Sequence, residues 1–298
     1  MARPLLLLAL TAGLLQGTAI RAQEPTAGEV IEINADVVYG HKLGLALTYD
    51  VLRPTRQPNG AAVLFMVSGG WKSSWSPPES AARRFRFLLE RGFTMILVRH
   101  GSSPRFTVPE CVADVRRAVR HVRANAKRFS IDPDRLGVFG GSAGGHLSLM
   151  LGTGSDDGNP KAKDPLLKVS NRVAAVVALF PPTDLAPYVL PESGFPERYP
   201  ALKFDTKLAA ANSPLKLVSS DDAPSLMIHG DKDELVPLEH SQKIHAAFQK
   251  NKVASQLLVI KDAAHGFRDA DNTRAEQATV EWFTKYLVRS AAAKETSK

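Results

Sequence analysis

The 298-residue sequence is poor in cysteine and lacks the usual signatures of metal and nucleotide sites. Its single cysteine, Cys111, excludes an intramolecular disulfide, so stability has to come from a hydrophobic core. There is no His-Glu-x-x-His sequence, no cysteine pair and no dense Asp/His cluster, which argues against zinc chemistry. No dinucleotide fingerprint follows the first predicted parallel strand, and no glycine-rich segment ends in Gly-Lys-Ser/Thr. We therefore expect neither a metal nor a cofactor, and we expect Cys111 to be buried rather than reactive.

Long hydrophobic runs are also lacking, except near the start of the chain. Residues 5–15 form an apolar run after Arg3, and small residues lead from it to Ala19 or Ala22. A run of this length is shorter than the roughly 18 apolar residues that a membrane span needs. The pattern is typical of a secretory signal peptide, so we predict removal of residues 1–22 and export of residues 23–298 to the periplasm or the medium. An uncleaved membrane anchor is the alternative.

Charge gives little indication of a macromolecular partner. The formal net charge of +8 falls to +6 without residues 1–22, because Arg3 and Arg21 leave and no acidic residue does. The basic residues are scattered along the chain instead of forming one patch, so we do not expect nucleic-acid binding. The expected partner is a small-molecule or carbohydrate substrate, and the oligomeric state cannot be read from the sequence.

The hydrophobic pattern predicts an α/β fold with a mostly parallel central sheet and helices on both faces. Residues 31–38 and 43–52 alternate apolar and polar side chains, which indicates an antiparallel opening. Short continuous apolar runs then alternate with helical patterns, as is typical of buried parallel strands. These runs cover residues 61–67, 94–98, 136–139, 173–180, 226–228 and 256–260.

Two predicted helices and one excursion complete the organisation. Ser76-Pro77-Pro78-Glu79 predicts a helix start with Ser76 as the N-cap of a capping box. Apolar residues at helical spacing over 112–129 predict a second helix. Residues 181–222 are weakly patterned and rich in Pro, Ser and charge, so we interpret them as an excursion, or partial cap, that covers the site within a single domain.

A serine stands where one buried strand gives way to a helix. Ser142 lies in Gly140-Gly141-Ser142-Ala143-Gly144, after the strand over 136–139 and before an apolar helix near Leu147. Gly-x-Ser-x-Gly in this context is typical of a nucleophile elbow, where glycines let the strand and the helix approach closely. The alternative is a glycine-rich turn with an inert serine, because the five-residue string alone is a weak signal.

A serine nucleophile needs a base and an acid, and both can be found after later strands. Asp233 follows the strand over 226–228, and His265 follows the strand over 256–260, which preserves the order Ser, acid, His. Residues just beyond the carboxyl ends of parallel strands meet at one edge of the sheet. Asp231 and Asp262 are alternative acids. Structural roles are expected for the remaining candidate histidines, and for His229 its position near the site leaves a supporting role open. These histidines are His146, His229, His240 and His245.

The predicted oxyanion hole combines the elbow with an earlier loop. The N–H of Ala143 follows the nucleophile, and Gly69 and Gly70 follow the strand over 61–67. Glycines there permit close approach of the backbone to a substrate. A tight turn with Trp71 packed into the core is the alternative interpretation.

Taken together, these segments resemble the BD-FAE-like branch of the α/β-hydrolases, bacterial carbohydrate-esterase and acetyl-esterase relatives near the hormone-sensitive-lipase group. The resemblance covers residues 37–287. It implies a Ser142, Asp233, His265 triad with oxyanion donors at Gly69, Gly70 and Ala143. Relatives often carry His-Gly-Gly-Gly in the oxyanion loop, whereas this chain has Val67-Ser68-Gly69-Gly70. The segments that carry the resemblance are residues 38–40, 69–71, 131–136, 140–147, 213–214, 229–237 and 265–267.

The expected activity is hydrolysis of a short-chain or carbohydrate ester through an acyl-enzyme. A serine peptidase of the prolyl-oligopeptidase type is one rival, although such enzymes usually carry an additional propeller domain. A binding protein on the same scaffold that has lost catalysis is the other. The acyl and alcohol groups cannot be specified from the sequence.

Overall fold

A computed structural model describes residues 31–288, and the predicted signal peptide lies outside them. The core is one sheet of eight strands in the order β1-β2-β4-β3-β5-β6-β7-β8. From β4 and β3 through to β8 all neighbouring strands run parallel, and the pairs β1–β2 and β2–β4 are antiparallel. The strands are β1 (Ile31–Lys42), β2 (Leu45–Pro54), β3 (Ala62–Met66), β4 (Thr94–Val98), β5 (Leu136–Gly141), β6 (Ala175–Leu179), β7 (Ser225–Gly230) and β8 (Ser255–Ile260).

Helices cover both faces of the sheet, so the α/β-hydrolase fold predicted from the sequence is confirmed. The helices are α1 (Pro78–Arg84), α2 (Arg86–Leu89), α3 (Val108–Ala124), α4 (Ala143–Thr153), α5 (Phe195–Arg198), α6 (Pro214–Leu217), α7 (Glu239–Lys250) and α8 (Asp269–Leu287). Side chains alternate along each central strand: Leu64 packs on the face covered by α3, α4 and α7, and Val63 packs on the face covered by α1, α2 and α8.

Two details of the helices differ from the prediction. Ser76 is not the N-cap of α1: Pro77 occupies that position, no side chain caps the helix, and the backbone at Phe85 separates α1 from α2. Pro78 disfavours a helical backbone at the residue before it, so Pro77 stays extended with ψ 126° and the first turn begins one residue further along the chain. The capping box is found instead at α3, where Thr107 and Glu110 bond reciprocally.

The excursion over residues 181–222 contains no strand; it is built from short helical turns. Besides α5 and α6 it includes 3-10 turns at Pro191–Ser193, Pro200–Leu202, Thr206–Leu208 and Ala210–Asn212. Frequent prolines start these turns and prevent longer helices. The segment leaves the sheet after β6 and returns at β7, so it passes over the carboxyl ends of the central strands. Within residues 31–288, no helix is long and apolar enough to cross a membrane.

Candidate active site

The turn between β5 and α4 places Ser142 in a strained conformation. Its backbone has φ 53° and ψ −119°, a region that non-glycine residues rarely adopt. The neighbouring glycines make the turn possible: a Cβ on Gly140 would lie 2.6 Å from the carbonyl carbon of Gly144. A Cβ on Gly144 would lie 2.8 Å from the carbonyl oxygen of Met66. Strand, turn and helix are therefore packed too closely for any larger residue at either glycine.

Ser142, His265 and Asp233 form one hydrogen-bonded chain. Ser142 Oγ lies 3.0 Å from His265 Nε2, and His265 Nδ1 lies 2.7 Å from Asp233 Oδ2. The carboxylate accepts from Nδ1, so Nε2 is left as the acceptor for the serine hydroxyl. The three residues that the sequence placed at separate strand ends are thus brought together in the order that nucleophilic catalysis requires.

The carboxylate of Asp233 is buried but well supplied with donors. Its Oδ1 accepts hydrogen bonds from the N–H groups of Leu235 and Val236, at 3.0 and 2.9 Å. Burial on its own raises the pKa of Asp233, but hydrogen bonds from His229 and His265 and from the Val236 N–H outweigh it and hold the pKa well below its usual range. Asp233 is therefore ionised at neutral pH and can orient His265.

His229, for which a structural or a supporting role was expected, contacts the carboxylate of Asp233 directly. Its Nε2 lies 2.8 Å from the carbonyl oxygen of Val236 and 3.2 Å from Asp233 Oδ2. Because a carbonyl can only accept, Nε2 carries the proton, and Nδ1 accepts from the hydroxyl of Ser241 at 2.7 Å. The side chain is fully buried, and it contacts the same carboxylate oxygen, Oδ2, as His265 does.

The alternative acids serve the loop instead. Asp231 Oδ1 accepts from the backbone N–H of Asp262 at 2.6 Å, which ties the loop after β7 to the loop after β8. Asp262 adopts a left-handed backbone with φ 60°. The carboxylate that bonds His265 is that of Asp233.

The predicted oxyanion loop, which we define as residues 67–72, contains a tight turn with two central residues. Gly69 and Lys72 exchange two backbone hydrogen bonds of 3.0 Å, and the central residues Gly70 and Trp71 have φ values of 55° and 56°. Positive φ at both central positions is the geometry of a type I′ turn. The N–H of Gly69, predicted as an oxyanion donor, is thus engaged with Lys72 in this structure.

The other two predicted donors are differently placed. No described residue accepts a hydrogen bond from the N–H of Gly70. Ala143 is the first residue of α4, where backbone N–H groups have no partner within the helix. Gly70 and Ser142 line the same cavity, so the turn and the elbow face one another.

The cavity beside Ser142 is small and almost entirely apolar. Its volume is about 340 Å³, including its open mouth. Part of the excursion, residues 182–202, forms one wall, and the loop after β7 forms another. Besides Gly70 and Ser142 the lining residues are Trp71, Pro182, Tyr188, Phe195, Tyr199, Leu202, Leu235 and Val236.

One lining residue, Tyr188, was not identified from the sequence. Its hydroxyl lies 2.8 Å from His240 Nε2, and the two rings stack. The N–H of Thr183 donates to His240 Nδ1, and burial lowers the pKa of His240 to about 4, so the imidazole is neutral at pH 7. The aromatic wall is therefore fixed to helix α7.

Within residues 31–288 no group of three His, Cys, Asp or Glu side chains is placed to hold a metal ion.

Comparison with known families gives a match over most of this region. Residues 49–248 match the model of the BD-FAE family. The chain belongs to the BD-FAE family. This family match covers the elbow, the oxyanion loop and Asp233, while His265 lies beyond its end.

Individual relatives of this BD-FAE member include named esterases. The chain is 28% identical over 261 residues to the "Probable carboxylic ester hydrolase LipM" of Mycobacterium tuberculosis, covering 83% of this chain and 59% of that protein. The chain thus spans little more than half the length of LipM and of "Esterase LipQ" from the same organism.

Solved structures give the same fold. An acetyl ester-xyloside bifunctional hydrolase from Caldicellulosiruptor lactoaceticus has a TM-score of 0.72 at 25% identity, covering 84% of this chain and 96% of that one. Butyrate-bound esterase 2 of Thermogutta terrifontis has a TM-score of 0.70 at 23% identity, and the match covers 89% of this chain and 97% of that one.

Proposed function

We propose that the protein is a serine carboxylic ester hydrolase that acts on short-chain acyl or carbohydrate esters through an acyl-enzyme. The observation that carries the proposal is the hydrogen-bonded chain from Ser142 Oγ through His265 to the ionised Asp233, at 3.0 and 2.7 Å. The esterase names among its relatives support the same reaction class.

Acylation is the first step. His265 Nε2 removes the proton from Ser142 as its Oγ attacks the ester carbonyl, and a tetrahedral intermediate forms. The negative charge on its oxygen is stabilised by the N–H groups of Gly70 and Ala143. The protonated imidazole, held by Asp233, then gives its proton to the departing alcohol, and the acyl group stays on Ser142.

Deacylation repeats these roles with water. His265 removes a proton from a water molecule that attacks the acyl-enzyme, and a second tetrahedral intermediate forms at the same oxyanion donors. Its collapse releases the acid and restores the Ser142 hydroxyl. The cycle consumes one ester and one water and gives one alcohol and one acid, so it needs no cofactor.

The shape of the cavity supports a short acyl group. Aromatic rings of Tyr188, Phe195 and Tyr199 close it on the excursion side, and it contains no charged side chain. Butyrate binds the structurally similar Thermogutta esterase 2, and the Caldicellulosiruptor relative is named as an acetyl ester-xyloside hydrolase. We infer acetyl to butyryl as the acyl range, with a sugar or simple alcohol on the leaving side.

The decisive experiment compares wild type and Ser142→Ala on p-nitrophenyl acetate, with an exposed serine variant, Ser80→Ala, as the control. We expect Ser142→Ala to lose hydrolysis while circular dichroism and the melting temperature stay near those of wild type. Labelling by a fluorophosphonate probe should be lost in the same variant. Retained hydrolysis in Ser142→Ala contradicts the proposal.

Substrate panels separate the competing functions. Acetylated xylan and p-nitrophenyl esters from acetyl to octanoyl are tested beside prolyl peptides. A peptidase cleaves the peptides faster than the esters, and a protein without catalysis neither hydrolyses a substrate nor reacts with the fluorophosphonate. Short esters hydrolysed in preference to peptides are the expected result.

Export is a further part of the proposal and rests on the sequence of residues 1–22. Expression of the full chain in a Gram-negative host, followed by fractionation and N-terminal sequencing, tests it. We expect a mature protein that starts near Gln23 outside the cytoplasm. Full-length protein held in the membrane fraction supports the anchor alternative.

A further inference from the structure

The oxyanion loop adopts a conformation that its own sequence does not favour. Trp71 has φ 56° in the turn, and the left-handed region strains the backbone of a non-glycine residue. Two backbone hydrogen bonds between Gly69 and Lys72 close the turn but do not fix its position relative to Ser142. Contacts from outside the loop have to supply that position.

The first external contact is a hydrogen-bonded pair of side chains, the half-buried Ser68 and the buried His100. His100 lies just after β4 with 4% of its surface exposed, and its Nδ1 donates to the carbonyl oxygen of Gly101 at 2.8 Å. Since Nδ1 carries the proton, Nε2 accepts from the hydroxyl of Ser68 at 2.9 Å. Burial lowers the pKa of His100, which keeps the ring neutral and this pattern of donor and acceptor fixed.

The second external contact holds the other end of the turn. Trp71 Nε1 donates to His146 Nδ1 at 3.3 Å, and His146 Nε2 donates to the carbonyl oxygen of Asn212 at 2.8 Å. His146 is fully buried in α4, one turn after Ser142. The backbone of Trp71 is also held, because its carbonyl oxygen accepts from the N–H of Ser103 at 3.0 Å.

We infer that His100 and His146 are positioning residues that hold the oxyanion loop against the elbow through Ser68 and Trp71. The inference rests on the proposed function and goes beyond it, because neither histidine touches the reacting atoms. Val67 and Ser68 stand where relatives often have histidine and glycine, so in this chain the support comes from other parts of the fold. Each histidine acts as a neutral acceptor at the nitrogen that faces the loop.

The pair Ser68 and His100 offers the cleaner test. Ser68→Ala removes the hydroxyl with little change in volume, Ser68→Thr restores it, and Ser80→Ala on the exposed surface of α1 is the matched control. A displaced oxyanion donor weakens transition-state stabilisation more than substrate binding, so for p-nitrophenyl acetate we expect kcat to fall about tenfold with KM within a factor of two. Ser68→Thr should recover most of the loss.

A double-mutant cycle shows whether the two side chains act together. If they do, Ser68→Ala combined with His100→Leu lowers kcat little more than the more damaging single variant. Additive losses, or a wild-type kcat in Ser68→Ala, overturn the inference.

Hydrogen exchange separates this inference from the proposed function. Removal of the Ser68 hydroxyl should accelerate amide exchange over residues 68–72 and leave exchange at the elbow unchanged. If wild type hydrolyses no ester, the proposed function fails, yet the exchange experiment still tests whether the pair holds the loop. Unchanged exchange in Ser68→Ala overturns the inference even when the enzyme is active.

Discussion

The elbow at Ser142 and the oxyanion loop at Gly70 and Trp71 both contain residues with positive φ, but they are held in different ways. Neighbouring glycines fix the elbow, since the backbones of strand, turn and helix are in direct contact around Gly140 and Gly144. The oxyanion loop is fixed by side chains that belong to other elements. One turn is encoded within five consecutive residues, whereas the other depends on tertiary structure.

The largest change in kcat is expected for a substitution of Asp233, and this variant isolates the contribution of the oxyanion donors to the rate. Asp233→Asn should leave both turns in place but lets an amide N–H face His265 Nδ1, which moves the ring proton to Nε2 and removes the base. We expect kcat to fall by roughly 10³–10⁴. Residual hydrolysis above the uncatalysed rate then reports on the oxyanion donors and substrate binding. A loss of less than tenfold contradicts the role of Asp233.

A pair of glycine variants compares the packing of the two turns. Gly140→Ala places a methyl group against the backbone of Gly144 and should destabilise the protein by about 3 kcal/mol in urea unfolding. A Cβ on Gly69 meets no atom within 4 Å, so Gly69→Ala should change stability by less than about 0.5 kcal/mol. Equal losses for the two variants contradict the difference between the turns.

The dependence of stability on acid pH tests His146, one of the two histidines inferred to support the oxyanion loop. Burial lowers the pKa of His146 to about 4 from its ordinary value of 6.5, so the unfolded chain binds a proton at this residue more readily than the folded protein does. Stability is therefore unaffected above pH 6.5 and falls as pH drops from 6.5 towards 4.

The loss attributable to His146 should be about 2 kcal/mol between pH 7.5 and pH 5. Urea unfolding at the two pH values measures it. His146→Gln should be less stable at pH 7.5 but show a smaller difference between the two pH values. If the free energy of unfolding falls as much between pH 7.5 and pH 5 in His146→Gln as in wild type, His146 is not a source of the acid sensitivity.

Two tryptophan variants refine the comparison further. Trp71→Phe removes the indole N–H that bonds His146, whereas Trp282→Phe removes one that is buried without a hydrogen-bond partner in the described part of the chain. Beyond the packing loss common to both, Trp71→Phe should cost about 1–2 kcal/mol of stability. It should also lower kcat, which Trp282→Phe should not. Matching kcat values for the two variants argue against a role for the indole N–H.

The smallest expected effect concerns the cavity wall. Phe195→Ala enlarges the apolar cavity, so the ratio of kcat/KM for octanoyl to butyryl esters should rise about 3- to 10-fold. Leu208→Ala, on an exposed part of the excursion, is the control and should leave the ratio unchanged. A preference that is insensitive to Phe195 means that the acyl chain lies elsewhere.

The comparison between the two turns also explains which features could be predicted from the sequence. The parallel strands were predicted from short apolar runs, and the candidate triad follows the ends of three of them, so local pattern and chain order were enough to bring Ser142, Asp233 and His265 together. The contacts of His100 and His146 join residues 32 to 75 positions apart, and their chemistry depends on burial and tautomer. No local pattern encodes those properties.

Smaller differences have equally physical causes. Ser76 has the residue type of an N-cap, but Pro78 keeps the backbone of Pro77 extended and the helix starts later. The engagement of the Gly69 N–H with Lys72 depends on the turn type, which the glycine pair permits without specifying. Tyr188 lies in a segment whose short turns have no periodic pattern.

The hydrogen bond from His146 to the carbonyl oxygen of Asn212 divides the excursion into two parts for protein engineering. Residues 182–202 form a wall of the cavity in which the proposed function places the acyl group. Residues 209–213 connect to the elbow helix through a main-chain oxygen, so their backbone path has to be kept whatever side chains they carry. A library that varies the first part and preserves the second would change substrate choice without disturbing the catalytic geometry.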